Sequence, residues 1–323
     1  MSKAIRVHKA GGPEVLQWED VTVGEPGPGE ARVRHHAVGV NYIDVYQRVA
    51  LYPMTYPSGI GLEGAGVVEA VGAGVTNVKA GDRVAYANPP IGAYCEVRNM
   101  PSHRLVNLPE GISLEQGAAM MLQGMTVRYL IRRTYTVQPG ETVLWHAVAG
   151  GVGLIACQWL AALGVTVIGT VGSEEKAMLA QAHGCHYIVN YTREDFVGRV
   201  KEITKGAGVP VVYDSVGKDT FERSIECLRP FGMMVSFGNA SGTVPPIDFA
   251  KALKGSLFLT RPSLMPHTAK REDLVATATD LFDIVLSGKV KIEVNQKYPL
   301  REAAQAHRDL EARKTTGSSI LLP

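Results

Sequence analysis

Over the first 110 residues the apolar positions come in short runs broken by glycine and proline, as at residues 31–40 and 66–71. Runs of this kind predict strands. The turn-forming stretches 24–29 and 79–82 fall between such runs, as a compact, mainly antiparallel barrel-like domain requires. Ser113 and Gln116 then form a capping-box pattern ahead of the apolar run 117–122, which predicts the start of a helix. From residue 141 the rhythm changes, and apolar strand-like runs alternate with helical segments in the manner of βαβ units. Six strands are predicted, at 142–147, 165–170, 187–190, 211–213, 233–237 and 257–260. Helix-period stretches at 271–286 and 301–312 precede a last apolar run at 320–322, which the pattern returns to the first domain. The predicted fold is therefore α/β, a doubly wound parallel sheet domain beside a mainly antiparallel barrel-like one.

A length of 323 residues supports two domains of roughly 100 to 200 residues each. Division at residues 123/124 and 264/265 assigns 1–123 and 265–323 to the first domain and 124–264 to the second. With 46% hydrophobic and 20% charged residues and a net charge of +2, nothing forms the single-sign field that attracts nucleic acid or an anionic membrane. No apolar stretch approaches the ~18 residues of a membrane span and no signal core opens the chain, so a cytoplasmic location is expected. Cys95, Cys157, Cys185 and Cys227 are far apart with no C-x-x-C pair, and read as reduced, packed thiols.

The chemistry concentrates at residues 142–153, read as strand, glycine turn and helix, with 154–164 completing the helix. Gly150 lets the backbone approach a pyrophosphate, and Gly153 lets the helix pack on the strand. The helix-start N–H groups, with Gly151 and Val152, then hold the phosphates. In G-x-G-x-x-G register Val148 stands at the first glycine position, so the fingerprint is imperfect. An NAD enzyme places an acid at the end of the second strand, on the ribose 2′-hydroxyl. Here that strand runs into Gly172 and Ser173 with no carboxylate. Glu174 and Glu175 suit the first turn of a helix capped by Ser173, whereas Lys176 opposes the helix dipole unless an external anion sits there. A 2′-phosphate held by Ser173, Lys176 and Tyr191 fits, and the expected cofactor is NADPH. The alternative reading makes Lys176 an ordinary surface lysine.

Residues 8–16, 39–44, 147–153, 212–217 and 235–239 together resemble the medium-chain dehydrogenase/reductase superfamily, specifically its zinc-free, ζ-crystallin-like quinone oxidoreductase branch. The resemblance implies a Rossmann domain plus a GroES-like domain. It also implies a nicotinamide site near Asn41, Asp44, Tyr46 and Tyr129, with Ser215, Val216, Phe237, Gly238, Asn239, Ala240, Pro262, Ser263 and Leu264 closing over it. Arg313 matches a cofactor-contacting arginine of the family. Zinc-dependent relatives carry a cysteine where this chain has Asn41, and a Gly-His-Glu motif where it reads Gly61, Leu62, Glu63. Asparagine and leucine are not zinc ligands, so no catalytic metal is expected.

Tyr46 and Tyr52 are the candidates to position a quinone, since an aromatic face stacks on a flat ring while a phenol bonds its carbonyl; packing is the competing role. His35 and His36, on a strand, face opposite sides and share no metal. His146 reads as structural. No Ser-His-Asp or H-E-x-x-H arrangement is present, and hydride transfer to a quinone demands no dedicated acid because water supplies the protons. The leading expectation is NADPH:quinone reduction. Reduction of the activated double bond of a 2-alkenal or enone is the second, and an NADPH-stabilised structural or RNA-binding protein is the third. The apolar strand at 256–260 suggests a homodimer paired edge to edge.

Overall fold

The computed structural model describes residues 1–323, apart from the side chain of Lys251. Two compact units emerge, one of residues 1–125, 267–286 and 292–323 and the other of 126–266 and 287–291.

The first unit opens with β1 (Ser2–Val7) and β2 (Gln17–Val21), an antiparallel pair. There follow β3 (Glu30–Val40), helix α1 (Tyr42–Arg48), β4 (Ser58–Gly59), β5 (Glu63–Val71), β6 (Arg83–Ala87), β7 (Val97–Pro101) and β8 (Val106–Asn107). In β3 the alternation decides which face turns inward: Ala31, Val33, His35 and Ala37 are buried, while Arg34 and His36 are exposed. Outward Arg34 pairs with Glu69 of β5 at 2.5 Å. Inward His35 has both ring nitrogens occupied, at 2.7 Å from the Cys95 carbonyl and 2.7 Å from the Tyr86 hydroxyl, and burial pushes its pKa down to about 4. It is a satisfied core histidine, on the face opposite His36.

Ser113 and Gln116 do form the capping box: Ser113 N–H donates to Gln116 Oε1 at 2.9 Å and Gln116 N–H to Ser113 Oγ at 3.1 Å. Helix α2 (Leu114–Tyr129) follows, extended by a π-helical turn over Leu130–Thr134. The second unit's strands are β9 (Thr142–Trp145), β10 (Thr166–Val171), β11 (Tyr187–Asn190), β12 (Val209–Asp214), β13 (Leu228–Ser236) and β14 (Phe258–Thr260). Its helices are α3 (Gly151–Ala162), α4 (Glu174–Ala182), α5 (Phe196–Ile203), α6 (Phe221–Ile225), α7 (Phe249–Ala252) and α8 (Leu264–His267), the last of which ends as the chain re-enters the first unit. All five strand pairings are parallel, and the order β11-β10-β9-β12-β13-β14 is that of a doubly wound dinucleotide-binding sheet. Val143 and Leu144 of β9 and Val211 and Val212 of β12 are buried on both faces, the mark of a parallel sheet covered by helices.

The chain then forms α9 (Arg271–Leu286), β15 (Val294–Pro299), α10 (Ala303–Glu311) and β16 (Ser318–Leu322). Strand β16 joins β3 antiparallel, so the tail completes the first unit as expected, and β15 lies parallel to β16 in an otherwise antiparallel sheet. Residues 287–291 pack with the second unit, where Gln158 bonds the Lys291 backbone in both directions at 2.8 and 3.1 Å.

Candidate active site

After β9 the chain turns at Ala147, whose φ of +56° is a left-handed conformation usually left to glycine. The next residue, Val148, is fully buried, and its methyl groups fill the space that a Cβ at Gly169 of β10 would need, within 2.6 Å. The first glycine of the fingerprint is thus dispensable: Ala147 takes the turn and Gly169 makes room for the valine. Gly150 is the N-cap of α3 and is exposed; a Cβ there would meet only the Ala147 carbonyl, at 3.4 Å. With no capping side chain, the first-turn N–H groups of α3 face outward from the protein's own acceptors, as an anion site requires. Gly153 differs. A Cβ on it would lie 2.5 Å from Val148 Cα, so this glycine lets α3 sit against the end of the strand.

At the end of β10, Ser173 caps α4 by accepting from the Lys176 N–H at 3.3 Å. Glu174 is turned away into an exposed ion pair with Arg193 at 3.1 Å. Tyr191 crosses over Gly172, its hydroxyl 2.7 Å from where a Cβ would stand, and is itself partly exposed. Ser173, Lys176 and Tyr191 therefore gather at one strand end with no carboxylate at residues 171–173. This donor set, with the uncapped α3, fits a dinucleotide bearing a 2′-phosphate.

The loops beyond β12 and β13 are knit together. Asp214 is fully buried and accepts from the N–H groups of Val216 and Gly217 at 2.7 and 3.0 Å and from Thr220 Oγ1 at 2.7 Å. Ala240 N–H donates to the Ser215 carbonyl at 3.1 Å and Phe237 N–H to the Asp214 carbonyl at 2.8 Å. Ser215, Val216, Phe237, Gly238, Asn239 and Ala240 form one rim at the carboxyl end of the sheet, and Pro262, Ser263 and Leu264 follow β14 along the same edge. Tyr129 is buried in this unit. His146 lies beneath the rim, within 2.9 Å of Thr170 Oγ1 and 2.8 Å of Ser224 Oγ, a structural part as expected.

In the first unit, Asn41 is the N-cap of α1, and Asp44 Oδ2 reaches back to accept from Asn41 N–H at 2.9 Å. The N-x-x-D spacing is a helix-start signal that the strand-rich reading of this region passed over. The Asn41 amide is clamped, with Nδ2 donating to Glu63 Oε2 at 2.6 Å and Oδ1 accepting from Gln123 at 3.3 Å. Glu63 also accepts from Leu122 N–H at 2.7 Å, and burial raises its pKa to about 8. Burial likewise raises Asp44 to about 7, against the opposing pull of its bonds to Asn41 and Tyr94.

Arg48 fixes the polarity behind Asp44, because a guanidinium can only donate. Its Nη1 lies 3.3 Å from His307 Nδ1, which must accept; His307 Nε2–H then donates to the Tyr94 oxygen at 3.0 Å, and Tyr94 O–H to Asp44 Oδ2 at 2.9 Å. Burial and Arg48 hold the His307 pKa down, at about 3. Arg48 is anchored to Glu311 at 2.7 Å. Asp44, fully buried, thus orders the start of α1, which carries Asn41 and Tyr46, and does not reach solvent. Tyr46 lies between Tyr42 and Tyr52, at ring-centroid distances of 5.8 and 5.9 Å, and Tyr52 is 39% exposed. Arg313 is exposed at the end of α10, in the field of Tyr42.

Residues 27–136 match the family described as alcohol dehydrogenase GroES-like domain, and residues 151–280 the one described as zinc-binding dehydrogenase. A quinone oxidoreductase of Pseudomonas aeruginosa is 54% identical over the full length of both chains. The crystal structure of Escherichia coli quinone oxidoreductase complexed with NADPH superimposes with a TM-score of 0.98 at 51% identity, covering 99% of this chain and 100% of that one. The chain belongs to the zinc-free quinone oxidoreductase branch of the medium-chain dehydrogenase/reductase superfamily. A 2-haloacrylate reductase of a Burkholderia species is 46% identical over 100% of this chain and 99% of its own. Despite the description of its second family match, this branch member offers no zinc donor at Asn41 or Leu62. The Asn41 amide is bound to Glu63 and Gln123, and Leu62, buried beside them, has no lone pair to offer.

Glu63 and the Tyr94–His307–Arg48 chain escaped the reading of the sequence. The glutamate of Gly61-Leu62-Glu63 was weighed only against zinc, yet a carboxylate at the head of an apolar strand is itself a sign of a buried polar contact.

Proposed function

We propose that the protein is an NADPH:quinone oxidoreductase that passes hydride to a quinone without a metal. The observation that carries this reading is the acid-free end of β10, where Ser173, Lys176 and Tyr191 stand beside an uncapped α3 in a doubly wound sheet. NADPH supplies the hydride from C4 of its nicotinamide. The backbone of Gly150, Gly151 and Val152 holds the pyrophosphate, and Gly172, Ser173, Lys176 and Tyr191 take the 2′-phosphate. Ser215, Val216, Phe237, Gly238, Asn239, Ala240, Pro262, Ser263, Leu264 and Tyr129 serve the nicotinamide half. The second unit, residues 126–266 with 287–291 where 124–264 were expected, is accordingly the NADPH-binding domain, and the first unit the acceptor domain. From that domain Asn41, Tyr46 and Arg313 contact the cofactor, Asp44 orders the helix start that carries Asn41 and Tyr46, and Tyr46 and Tyr52 stack on the quinone. No side chain need act as general acid, because the hydroquinone takes its protons from water after charge has developed. The chain's contribution is positioning and exclusion of water.

The similarity to a 2-haloacrylate reductase supports a second reading, reduction of an activated C=C bond. Initial rates of NADPH oxidation with 1,4-benzoquinone and with a small 2-alkenal rank the two; the quinone is expected to be the faster acceptor. Tight NADPH binding with no turnover of either would favour the structural or RNA-binding role instead. A cytoplasmic homodimer, paired through β14, completes the proposal.

A further inference from the structure

Ala147 opens the glycine turn in a left-handed conformation that is costly for a residue with a Cβ, and a single residue of the next strand holds it there. The Thr170 carbonyl accepts from Val148 N–H at 3.2 Å, and Thr170 Oγ1 accepts from Ala147 N–H at 3.3 Å. The Thr170 hydroxyl needs an acceptor for its own proton. Among the described residues His146 Nδ1, at 2.9 Å, is the one within reach, so Thr170 donates to the ring. Burial lowers the His146 pKa against the opposing pull of Asp214, and the neutral ring carries its one proton on Nε2. That N–H donates to Ser224 Oγ at 2.8 Å. Ser224 in turn has the Thr220 carbonyl at 2.8 Å and Asp214 Oδ2 at 3.2 Å as acceptors for its hydroxyl proton. The other oxygen of Asp214 holds the N–H groups of Val216 and Gly217.

Hydrogen bonds of one polarity thus run from the turn after β9 to the loop after β12, through four side chains that are all buried. The β9–β12 pairing stops short of both loops. Its last bond is from His146 N–H to the Tyr213 carbonyl at 3.0 Å, and beyond it the loops are joined through these side chains. Because each hydroxyl has one proton and the ring has one, a displacement at either loop must turn the imidazole or leave a buried group unpaired. His146 stands in the middle, with both nitrogens committed.

We propose that His146 is a positioning residue that couples the pyrophosphate turn to the nicotinamide rim, so that a dinucleotide seated on one loop meets the other already set. This inference rests on the NADPH-dependent reading above. His146 touches no reacting atom; it acts through Thr170 on Ala147 and through Ser224 and Asp214 on Val216 and Gly217.

The test uses the full-length protein. Heteronuclear NMR with nitrogen-labelled histidine, recorded without cofactor, is expected to show His146 neutral and protonated at Nε2; a ring protonated at Nδ1 overturns the proposal. Thr170→Val and Ser224→Ala each remove one hydroxyl at nearly constant shape. Each is expected to raise the NADPH Kd about twofold to tenfold, and the double variant to bind little more weakly than the worse single one, since a row already broken has no second coupling to lose. Adenosine 2′,5′-bisphosphate carries phosphates and no nicotinamide, yet its binding is expected to weaken in Ser224→Ala, whose hydroxyl lies beneath the rim. His146→Gln, with an acceptor and a donor on one amide, is expected to keep more NADPH affinity than His146→Leu. Single effects that multiply in the double variant, bisphosphate binding untouched in Ser224→Ala, or equal losses in His146→Gln and His146→Leu overturn the proposal. Should His146→Leu fail to fold, the hydroxyl deletions decide alone. A wild type that binds no NADPH would refute the NADPH reading, whereas the protonation state of His146 is read without the cofactor.

Discussion

Asn41 is held between two buried carboxyl groups, Glu63 on its amide and Asp44 on its backbone N–H, and their titration ties stability to pH. The ordinary value of the Glu63 carboxyl is 4.5 and the folded one about 8. Between these values the folded protein keeps a proton that the unfolded chain has lost, so this contribution is present below pH 4.5 and disappears as pH rises through 8. Denaturant titrations across this range are expected to show stability falling with pH in the wild type and falling less steeply in Glu63→Gln. An identical slope in both would detach Glu63 from the effect. In the proposed reading, cofactor choice turns on Lys176. Loss of its charge-assisted contact to the 2′-phosphate is worth about 1.5–3 kcal/mol. Lys176→Ala is therefore expected to raise the NADPH Kd about tenfold to hundredfold while leaving that for NADH in place, as titration of nucleotide fluorescence will show. The missing acid and the lysine were legible in the chain because both lie within a few residues of a recognisable strand end. The Glu63 clamp was not, since it joins positions 22 residues apart that only the β3–β5 pairing brings together.

The glycine turn between β9 and α3 shows how an element tolerates a departure from pattern. The fingerprint asks for glycine at Val148, but the structure transfers the left-handed turn to Ala147 and the close approach to Gly169. Gly153 has no such relief, with Val148 Cα 2.5 Å from its would-be Cβ. Gly153→Ala is expected to destabilise the second unit by about 1–3 kcal/mol and to weaken NADPH binding, read by thermal melts with and without cofactor. A variant as stable as the wild type would mean that the helix shifts freely. Strand existence was readable from apolar runs, and strand limits were less so. Strand β13 begins at Leu228 and not at 233, because Pro230, Gly232 and the left-handed Phe231 break the pattern inside a register jump against β12. Strand β14 starts at Phe258 because Ser256 also has a positive φ, of 58°. Helix α1 was missed outright, its seven residues too short to establish a period.

At the scale of the molecule, the doubly wound parallel sheet followed from the alternation of strand and helix, because parallel strands need crossovers, and the return of the tail to the first unit was read from its last apolar run. Assembly was read from one apolar run. Strand β14 ends the sheet with Phe258 56% exposed, and nearby Phe231, whose N–H donates to the Gly255 carbonyl, is 72% exposed. The proposed dimer pairs through this apolar edge. Sedimentation velocity is expected to find a dimer for the wild type and a monomer for Phe258→Lys; a monomeric wild type would remove β14 from any such role. The whole enzyme is a quinone reductase that uses NADPH, and we propose that it needs no metal. The most direct test of this claim is the initial rate of 1,4-benzoquinone-dependent oxidation of NADPH and of NADH, before and after exhaustive dialysis against a zinc chelator. NADPH is expected to be preferred by about tenfold or more in kcat/KM, with the rate unaffected by chelation. Equal use of NADH, or activity lost on chelation and restored by zinc, would contradict the account.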